Sequence, residues 1–225
     1  MQNILTERIL VFAFATAMLF SSCGSVSSFE SPNSFRNMNG TLFLRNGKSY
    51  DGKLLIQSAS FISRPIKILT EGDTRPMQFN LDEVEGYRIR NDHYDLKELK
   101  GGLRLGKELS FMKRLTKEGS RIHLYEHLKR VAENSKGYAA ISTRYEIEYY
   151  MQLPNEEAQE VYPLGGSRFV PNFDEKVSRL VGDCPELARK IAAKESGYFY
   201  AQVSLIREKK VDVLMNIIEE YNRCR

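Results

Sequence analysis

Residues 41–56 read TLFLRNGKSYDGKLLI, and this stretch is the strongest local structural signal in the chain. Two strand-like runs flank the pair Asn46-Gly47. An Asn-Gly pair in that position is typical of a type I′ turn, because both central residues of that turn need a positive φ. Gly52 indicates a bulge or a close backbone approach within the second strand. The stretch therefore predicts a β-hairpin near the start of the folded part of the chain, which we place near Asn39.

Four more short strand-like runs follow the hairpin before residue 100. Pro65, in the first of them, favours an edge or a bend, since proline cannot donate a ladder hydrogen bond. Short strands at such spacing are typical of a small barrel or a strongly twisted sheet, and the glycine rhythm of residues 40–54 loosely resembles an SH3-like barrel. We therefore predict a small β domain over residues 39–100. The runs are FISRPIKIL (61–69), RPMQFNL (75–81), GYRIR (86–90) and HYDLKEL (93–99).

Residues 101–171 contain a second group of strand-like runs. RYEIEYYMQL (144–153) alternates with a period of two, which is typical of a half-buried antiparallel strand. EAQEVYPL (157–164) is its predicted partner, and KELSFMKRL (107–115) is a further strand. We predict an antiparallel meander whose tyrosines pack in the core rather than forming a platform for a ligand. One face of residues 144–153 holds Tyr145, Ile147, Tyr149, Met151 and Leu153, and the other holds Glu146, Glu148 and Gln152.

The last part of the chain, residues 172–225, has helical patterns. NFDEKVSRLV (172–181) has apolar residues at helical spacing. Asp183, followed by Pro185 and Glu186, resembles the capped start of a second helix. The predicted fold class is α+β, in which an antiparallel β-rich N-terminal and middle part carries a C-terminal helical hairpin. The last helix has Leu214, Ile217, Ile218 and Tyr221 on one side.

The first residues of the chain predict an export signal. Residues 9–20 read ILVFAFATAMLF, which is shorter than the roughly 20 apolar residues that span a bilayer, and Arg8 precedes them as in a secretory signal. The continuation FSSCG resembles the lipobox of bacterial lipoproteins, although Phe20 stands where that family usually has leucine. The resemblance implies a signal peptide of residues 1–22 and a lipid on Cys23. An ordinary secretory signal with an incidental cysteine is the alternative.

A lipid anchor on Cys23 implies a cell-envelope protein. No aspartate follows this cysteine, so the inner-membrane retention signal of enteric lipoproteins is missing, and we expect the outer membrane, facing the periplasm. Residues 23–38 are rich in serine and predict a flexible tether. The membrane is the expected partner, and a second partner would be another envelope protein. The net charge is only +4, and its basic residues are interleaved with acidic ones, so we expect no nucleic-acid partner.

Two cysteines, Cys184 and Cys224, remain when Cys23 carries a lipid. An even number of thiols is typical of an exported protein with disulfides. Cys184 starts one predicted helix and Cys224 ends the next long one, and these ends are neighbours in an antiparallel hairpin. We therefore predict a Cys184–Cys224 disulfide, and the alternative is two buried free thiols.

Residues 123–127 read HLYEH, in the H-x-x-E-H order of inverted zinc peptidases. A zinc site requires a helix that places His123 and His127 on one face, with Glu126 as the general base. On a strand the two histidines lie about 13 Å apart and cannot share an ion. The strand-like runs on both sides speak against the helix, but strand and helix both stay open at this point, and on either we expect exposed histidines, no metal, no cofactor and no catalytic residue. A metal-dependent hydrolase is the alternative.

Several segments together resemble exported lipoproteins of the Bacteroidetes. They are FSSC near the N-terminus, IHLYE and YYMQLP in the β-rich middle, and DCPELARKI and IIEEYNRC at the end. The resemblance implies an envelope location and no activity. We therefore expect a lipid-anchored, periplasm-facing, non-catalytic binding or accessory module.

Overall fold

The fold class is α+β, as predicted from the sequence. A computed structural model describes residues 27–57, 64–100, 108–134, 141–154, 156–200 and 207–224. In these ranges an eleven-stranded sheet is followed by three helices. The strands are β1 (Ser28–Ser31), β2 (Ser34–Leu44), β3 (Ser49–Gln57), β4 (Ile66–Leu69), β5 (Met77–Phe79), β6 (Val84–Ile89), β7 (Asp92–Leu99), β8 (Glu108–Arg114), β9 (His123–Asn134), β10 (Ile141–Gln152) and β11 (Glu160–Pro163). The helices are α1 (Phe173–Leu180), α2 (Pro185–Ala192) and α3 (Arg207–Arg223).

The predicted hairpin consists of β2 and β3, but its turn is not the expected type. The Gly47 N–H donates to the Leu44 carbonyl (3.0 Å), and the Leu44 N–H donates to the Lys48 carbonyl (2.9 Å). Within the turn only Gly47 has a positive φ, of 80°, so the type I′ prediction was wrong. A type I turn followed by a left-handed glycine also matches the twist of paired strands. The Asn46 side chain stabilises this turn by accepting from the Lys48 N–H (3.0 Å).

Gly40 and Gly52 are cross-strand partners in this hairpin. A Cβ atom at Gly52 would overlap the carbonyl oxygen of Leu69 on β4, and one at Gly40 would overlap the carbonyl oxygen of Arg88 on β6. The close approach predicted at Gly52 is therefore confirmed. Because glycine has no side chain at these two positions, β4 can pair with one edge of the hairpin and β6 with the other.

Strand β7 joins strands β1 to β6, which we call the first sheet, to a small closed barrel within the same eleven-stranded sheet. Its first residues pair with β6 and its last residues pair in parallel with β11, while β8 pairs along the other edge. Strands β7 to β11 form a closed five-strand ring. The Glu98 N–H donates to the Gln159 carbonyl (2.7 Å) and the Lys100 N–H to the Val161 carbonyl (3.0 Å), which closes the ring. The strands predicted as a meander thus continue into a barrel that shares β7 with the first sheet.

The corner between β1 and β2 contacts residues of β6 and β8. Tyr87 is 1% exposed, and its hydroxyl donates to the Pro32 carbonyl (2.7 Å). The Asn33 side chain accepts from the Phe111 N–H (2.8 Å) and donates to the Phe111 carbonyl (3.3 Å). The Asn33 side-chain amide therefore satisfies the backbone N–H and carbonyl groups of Phe111, as the backbone of a neighbouring strand would. The core under this corner includes Phe35, Leu42, Leu54, Ile66, Ile68, Leu96 and Phe111.

The tether expected over residues 23–38 is shorter than predicted, because β1 begins at Ser28. Phe35 is 1% exposed in the first core, and the Phe29 ring stacks on it with the ring centres 5.6 Å apart. These aromatic rings anchor a segment whose serine-rich composition suggests flexibility. Residues 1–26, which include the predicted signal and Cys23, lie outside the described residues.

The helices pack against the outer face of β9 and β10. Leu124 and Met151 from these strands are at most 1% exposed and belong to the same core as the helices. None of the described helices is both long and apolar enough to cross a bilayer. The predicted apolar side of α3 is buried, with Leu214, Ile217, Ile218 and Tyr221 at most 2% exposed.

A disulfide joins Cys184 and Cys224, whose Cα atoms are 5.9 Å apart. The predicted pairing is therefore confirmed. The bond links the start of α2 to the end of α3, so the two helices form the expected hairpin.

Arg121, just before β9, ties the barrel to this end of the hairpin. It donates to the carbonyl oxygens of Tyr221 (3.3 Å) and Cys224 (3.2 Å), at the C-terminus of α3, where a cation is favoured. The expected cap of α2 by Asp183 is not formed, since Cys184 occupies the N-cap position. Asp183 instead accepts hydrogen bonds from Arg121 and from the Tyr221 hydroxyl. Because the Asp183 carboxylate is held in this long-range ion pair, it does not cap α2.

We expect that replacing both Cys184 and Cys224 with alanine lowers the free energy of unfolding by about 4 kcal/mol. The disulfide spans a sequence separation of 40, and a bond across such a loop restricts the unfolded chain. Urea unfolding without reductant measures the difference, and reductant should bring the wild type to the level of the double variant. A double variant as stable as the oxidised wild type would contradict the prediction.

Candidate functional site

The interior of the closed barrel mixes apolar and polar side chains. Alternate residues of a strand point to the same face, and five inward residues form a small apolar core, namely Leu99, Met112, Tyr125, Tyr150 and Val161. Polar residues share this face at both ends of the barrel. We call one group the Arg114 end, consisting of Asp95, Lys97, Arg114, His123, Tyr125 and Gln152. We call the other group the His127 end, consisting of Ser110, His127, Glu148 and Tyr150.

Lys97 is buried inside the barrel at the Arg114 end. The residue is 8% exposed, and its Nζ donates to Gln152 Oε1 (3.0 Å) and to the Ala158 carbonyl (2.6 Å). The ammonium also lies 5.0 Å from the centre of the Tyr125 ring, a favourable cation–π contact. Burial lowers the pKa of the Lys97 amine, while nearby Asp95 acts in the opposite direction.

Tyr125 connects this lysine to a carboxylate. Its hydroxyl lies 3.0 Å from Asp95 Oδ2 and 3.2 Å from Gln152 Oε1, and a hydroxyl has only one hydrogen to donate between them. Burial, with Asp95 as the next cause, raises the pKa of the Tyr125 hydroxyl well above its usual range. The hydroxyl therefore stays protonated and acts as a donor.

His127 is buried at the opposite end, with 7% of the residue exposed. Its Nε2 lies 3.0 Å from Ser110 Oγ, and its ring packs edge-on against Tyr150 with the ring centres 5.7 Å apart. Its Nδ1 is buried and has no hydrogen-bond partner in the described part of the chain, an arrangement that costs about 1–3 kcal/mol. Burial lowers the pKa of the imidazole, although Glu148 and Glu108 favour its protonation.

The Ser110–His127 pair resembles a nucleophile and its base, but no group in the described part of the chain orients the base. Such a pair needs a third group on the second ring nitrogen. Glu148 is engaged elsewhere, by Lys129 (2.9 Å) and by the Tyr150 hydroxyl (3.1 Å). Burial alone would raise the pKa of Glu148, but these two hydrogen bonds outweigh it and lower that pKa. The pair therefore acts as a hydrogen bond inside the barrel.

The HLYEH segment begins β9 and is not helical. Strand alternation places His123 and His127 on the inward face and Glu126 on the opposite face. His123 Nδ1 is paired with Thr116 Oγ1 (2.9 Å), so each histidine has its own hydroxyl partner. The expectation of two exposed histidines was wrong, because closure of the barrel turns their face inward. The helical geometry that the hydrolase alternative requires is not formed.

No cluster of three metal-ligating side chains occurs among the residues that the structure describes. Cys184 and Cys224 are bonded to each other beside α2 and α3, away from the barrel interior.

The expected division of β10 into a core face and a polar face is only partly right. Met151 is 1% exposed against the helices, but Tyr145 is 43% exposed. Tyr150 and Gln152, on the face expected to be polar, point into the barrel. Both faces near the end of β10 are buried, because the helices cover one face and the barrel encloses the other.

Sequence reasoning missed the Arg114 end as a site. Asp95 and Lys97 alternate within HYDLKEL, but alternating charged residues on a strand usually indicate a face turned to water. The signal that reverses this interpretation is the pairing of β7 with β11, which brings residues 98–99 beside residues 160–161. Nothing local in either segment marks that pairing.

Comparison with protein-family models, with curated proteins and with solved structures finds no match to this chain. The two ends of the barrel are therefore interpreted from their own geometry and charge.

We expect the free energy of unfolding to fall as the pH drops below 6.5, the ordinary pKa of histidine. Burial, aided at His123 by Arg114 and Lys97, lowers the pKa of His123, and burial lowers that of His127. Between the folded and unfolded pKa values the unfolded state binds more protons, so acid favours unfolding. The loss is at most about 1.4 kcal/mol per pH unit for each histidine.

Urea unfolding measured from about pH 7.5 to about pH 5.5 tests this dependence above the range in which carboxylates titrate. A variant with His123→Gln and His127→Gln is the control and should show a flatter profile. If that variant keeps the full wild-type slope, the histidines are not its cause.

Proposed function

We propose that this chain is a lipid-anchored protein of the cell envelope that faces the periplasm and acts as a non-catalytic binding or accessory module. The observation that carries the proposal is the short chain length between Cys23, in the lipobox-like segment, and Ser28, where β1 begins. Those residues can span at most roughly 17 Å. A lipid on Cys23 would therefore hold the first sheet close to the bilayer surface.

The contacts inside the barrel support binding rather than catalysis. Lys97 and Tyr125 make their hydrogen bonds to other groups of the barrel, and the Nε2 of His127 is paired with Ser110. A general acid or base must reach the proton that it transfers, whereas these buried groups are engaged in holding neighbouring strands together.

The disulfide between Cys184 and Cys224 supports an exported location. Disulfides persist in oxidising compartments such as the periplasm and are rare in the cytosol. The bond closes the helical hairpin that packs on the barrel. The folded state therefore gains the stability of this cross-link only where thiols are oxidised.

We expect Cys23→Ala to release the protein from the membrane fraction, because it removes the thiol that would carry the lipid. Cell fractionation and gel mobility measure the change, and Ser22→Ala, which keeps the cysteine and a small neighbour, is the matched control. Unchanged membrane association and unchanged mobility of the Cys23→Ala protein would contradict the lipid anchor.

Metal analysis of the purified protein separates this proposal from a hydrolase that uses His123, Glu126 and His127. We expect no stoichiometric zinc, because β9 holds the glutamate on the face opposite the histidines. One zinc per chain in the wild type, lost in His123→Gln, would favour the hydrolase instead.

A further inference from the structure

The Arg114 guanidinium is mostly buried and has no hydrogen-bond partner among the residues that the structure describes. Its side chain is 14% exposed, and its single ion pair, with Asp95, has an N···O distance of 3.6 Å. No acceptor in the described part of the chain lies within hydrogen-bond distance of it. A guanidinium has five N–H donors, and in protein interiors it is usually held by a bidentate acceptor. Arg114 therefore presents unused donors at the last residue of β8.

The charges at this end of the barrel do not balance. Arg114 and the Lys97 ammonium are positive, and Asp95 is the carboxylate that faces them. Within the described ranges Lys97 donates to neutral oxygens, those of Gln152 and Ala158, and Asp95 Oδ2 is shared with the Tyr125 hydroxyl. The three enclosed charged side chains at the Arg114 end thus sum to about one positive unit, which is unfavourable without a counter-ion.

The other charged groups near this end lie in water, since Glu118, Glu85 and Arg45 are all exposed. Burial, with Arg114 and Lys97 as the next causes, lowers the pKa of His123, so its imidazole favours the neutral form. The exposed Glu85 and Arg45 affect Lys97 in opposite directions. A ligand with one negative charge would balance the enclosed charges of Arg114, Lys97 and Asp95.

We propose that the Arg114 end of the closed barrel binds the carboxylate group of a small monoanionic ligand. The two carboxylate oxygens match the planar fork of the guanidinium, which can donate to both. A barrel end is also a common position for ligand sites. The carboxylate could belong to a free organic acid or to the C-terminus of a peptide. This inference rests on the proposed binding function and names the ligand chemistry for it.

Calorimetric titration of the full-length protein in detergent with acetate tests the proposal, and acetamide serves as the neutral probe of the same shape. We expect one acetate per chain and no acetamide binding. Arg114→Lys should weaken acetate binding at least about tenfold, since it loses the bidentate geometry, and Arg114→Gln should abolish it. Lys113→Gln is the matched control, because Lys113 points out of the barrel and pairs with Asp92.

Three outcomes would overturn the carboxylate site. They are no acetate binding to the wild type, equal binding of acetate and acetamide, and acetate binding that survives in Arg114→Gln. Binding of inorganic phosphate without acetate would also overturn it. The acetate and acetamide comparison on the wild type stands even if an Arg114 variant fails to fold.

N-acetyl-alanyl-alanine distinguishes the two sources of the carboxylate. Tighter binding of this peptide than of acetate supports a peptide terminus, and equal or weaker binding supports a free acid. Failure of acetate binding leaves the membrane release by Cys23→Ala unaffected, so the proposed function and the ligand assignment fail separately.

Discussion

The pairing of β7 is the constraint on which the rest of the structure depends. This strand, Asp92–Leu99, has β6 and then β11 along one edge and β8 along the other. Tyr94 and Leu96 point into the first core, while Lys97 and Leu99 point into the closed barrel. A shift of one residue would exchange the two faces and would place the lysine in an apolar core. The register of β7 therefore determines which side chains each half of the molecule encloses.

The barrel interior encloses charged side chains beside its small apolar core. A buried ammonium or carboxylate is unfavourable unless it is paired and hydrogen-bonded. Lys97 is hydrogen-bonded to the neutral oxygens of Gln152 and Ala158, and Asp95 accepts a hydrogen bond from Tyr125. Arg114 meets this requirement least well, since its ion pair with Asp95 has an N···O distance of 3.6 Å. The helical hairpin is attached by a separate set of contacts, in which Arg121 joins the turn before β9 to the end of α3.

The proposed lipid anchor lies close in the chain to the first strands of the fold. The β1–β2 corner, which starts a few residues after Cys23, also completes the first sheet through Asn33. An anchor on that cysteine would thus act on a segment that is itself part of the fold. The closed barrel follows in the chain, and its Arg114 end provides the donors that a carboxylate ligand needs. The proposed anchor and the proposed carboxylate site would thus act on different strands of one continuous sheet.

Local patterns in the sequence were sufficient for most of the secondary structure. Asn46-Gly47 marked the first hairpin, the period of two in residues 144–153 marked β10, and the apolar spacing of the last helix marked its buried side. The Cys184–Cys224 disulfide followed from the expected ends of two neighbouring helices. Each of these inferences depends on residues close together in the chain, or on the topology of two adjacent elements.

Tertiary structure alone decided which faces became interior. The return of β11 to β7 converts the charged faces of β7 and β8 into a lining, so Asp95, Lys97 and Arg114 are enclosed rather than exposed. The same closure buries His127 and separates both histidines from Glu126. Asp183 does not form its expected cap and instead pairs with Arg121, which lies 62 residues earlier in the chain. In each case the partner is distant in sequence, and side-chain alternation reports two faces of a strand without showing which of them the fold will cover.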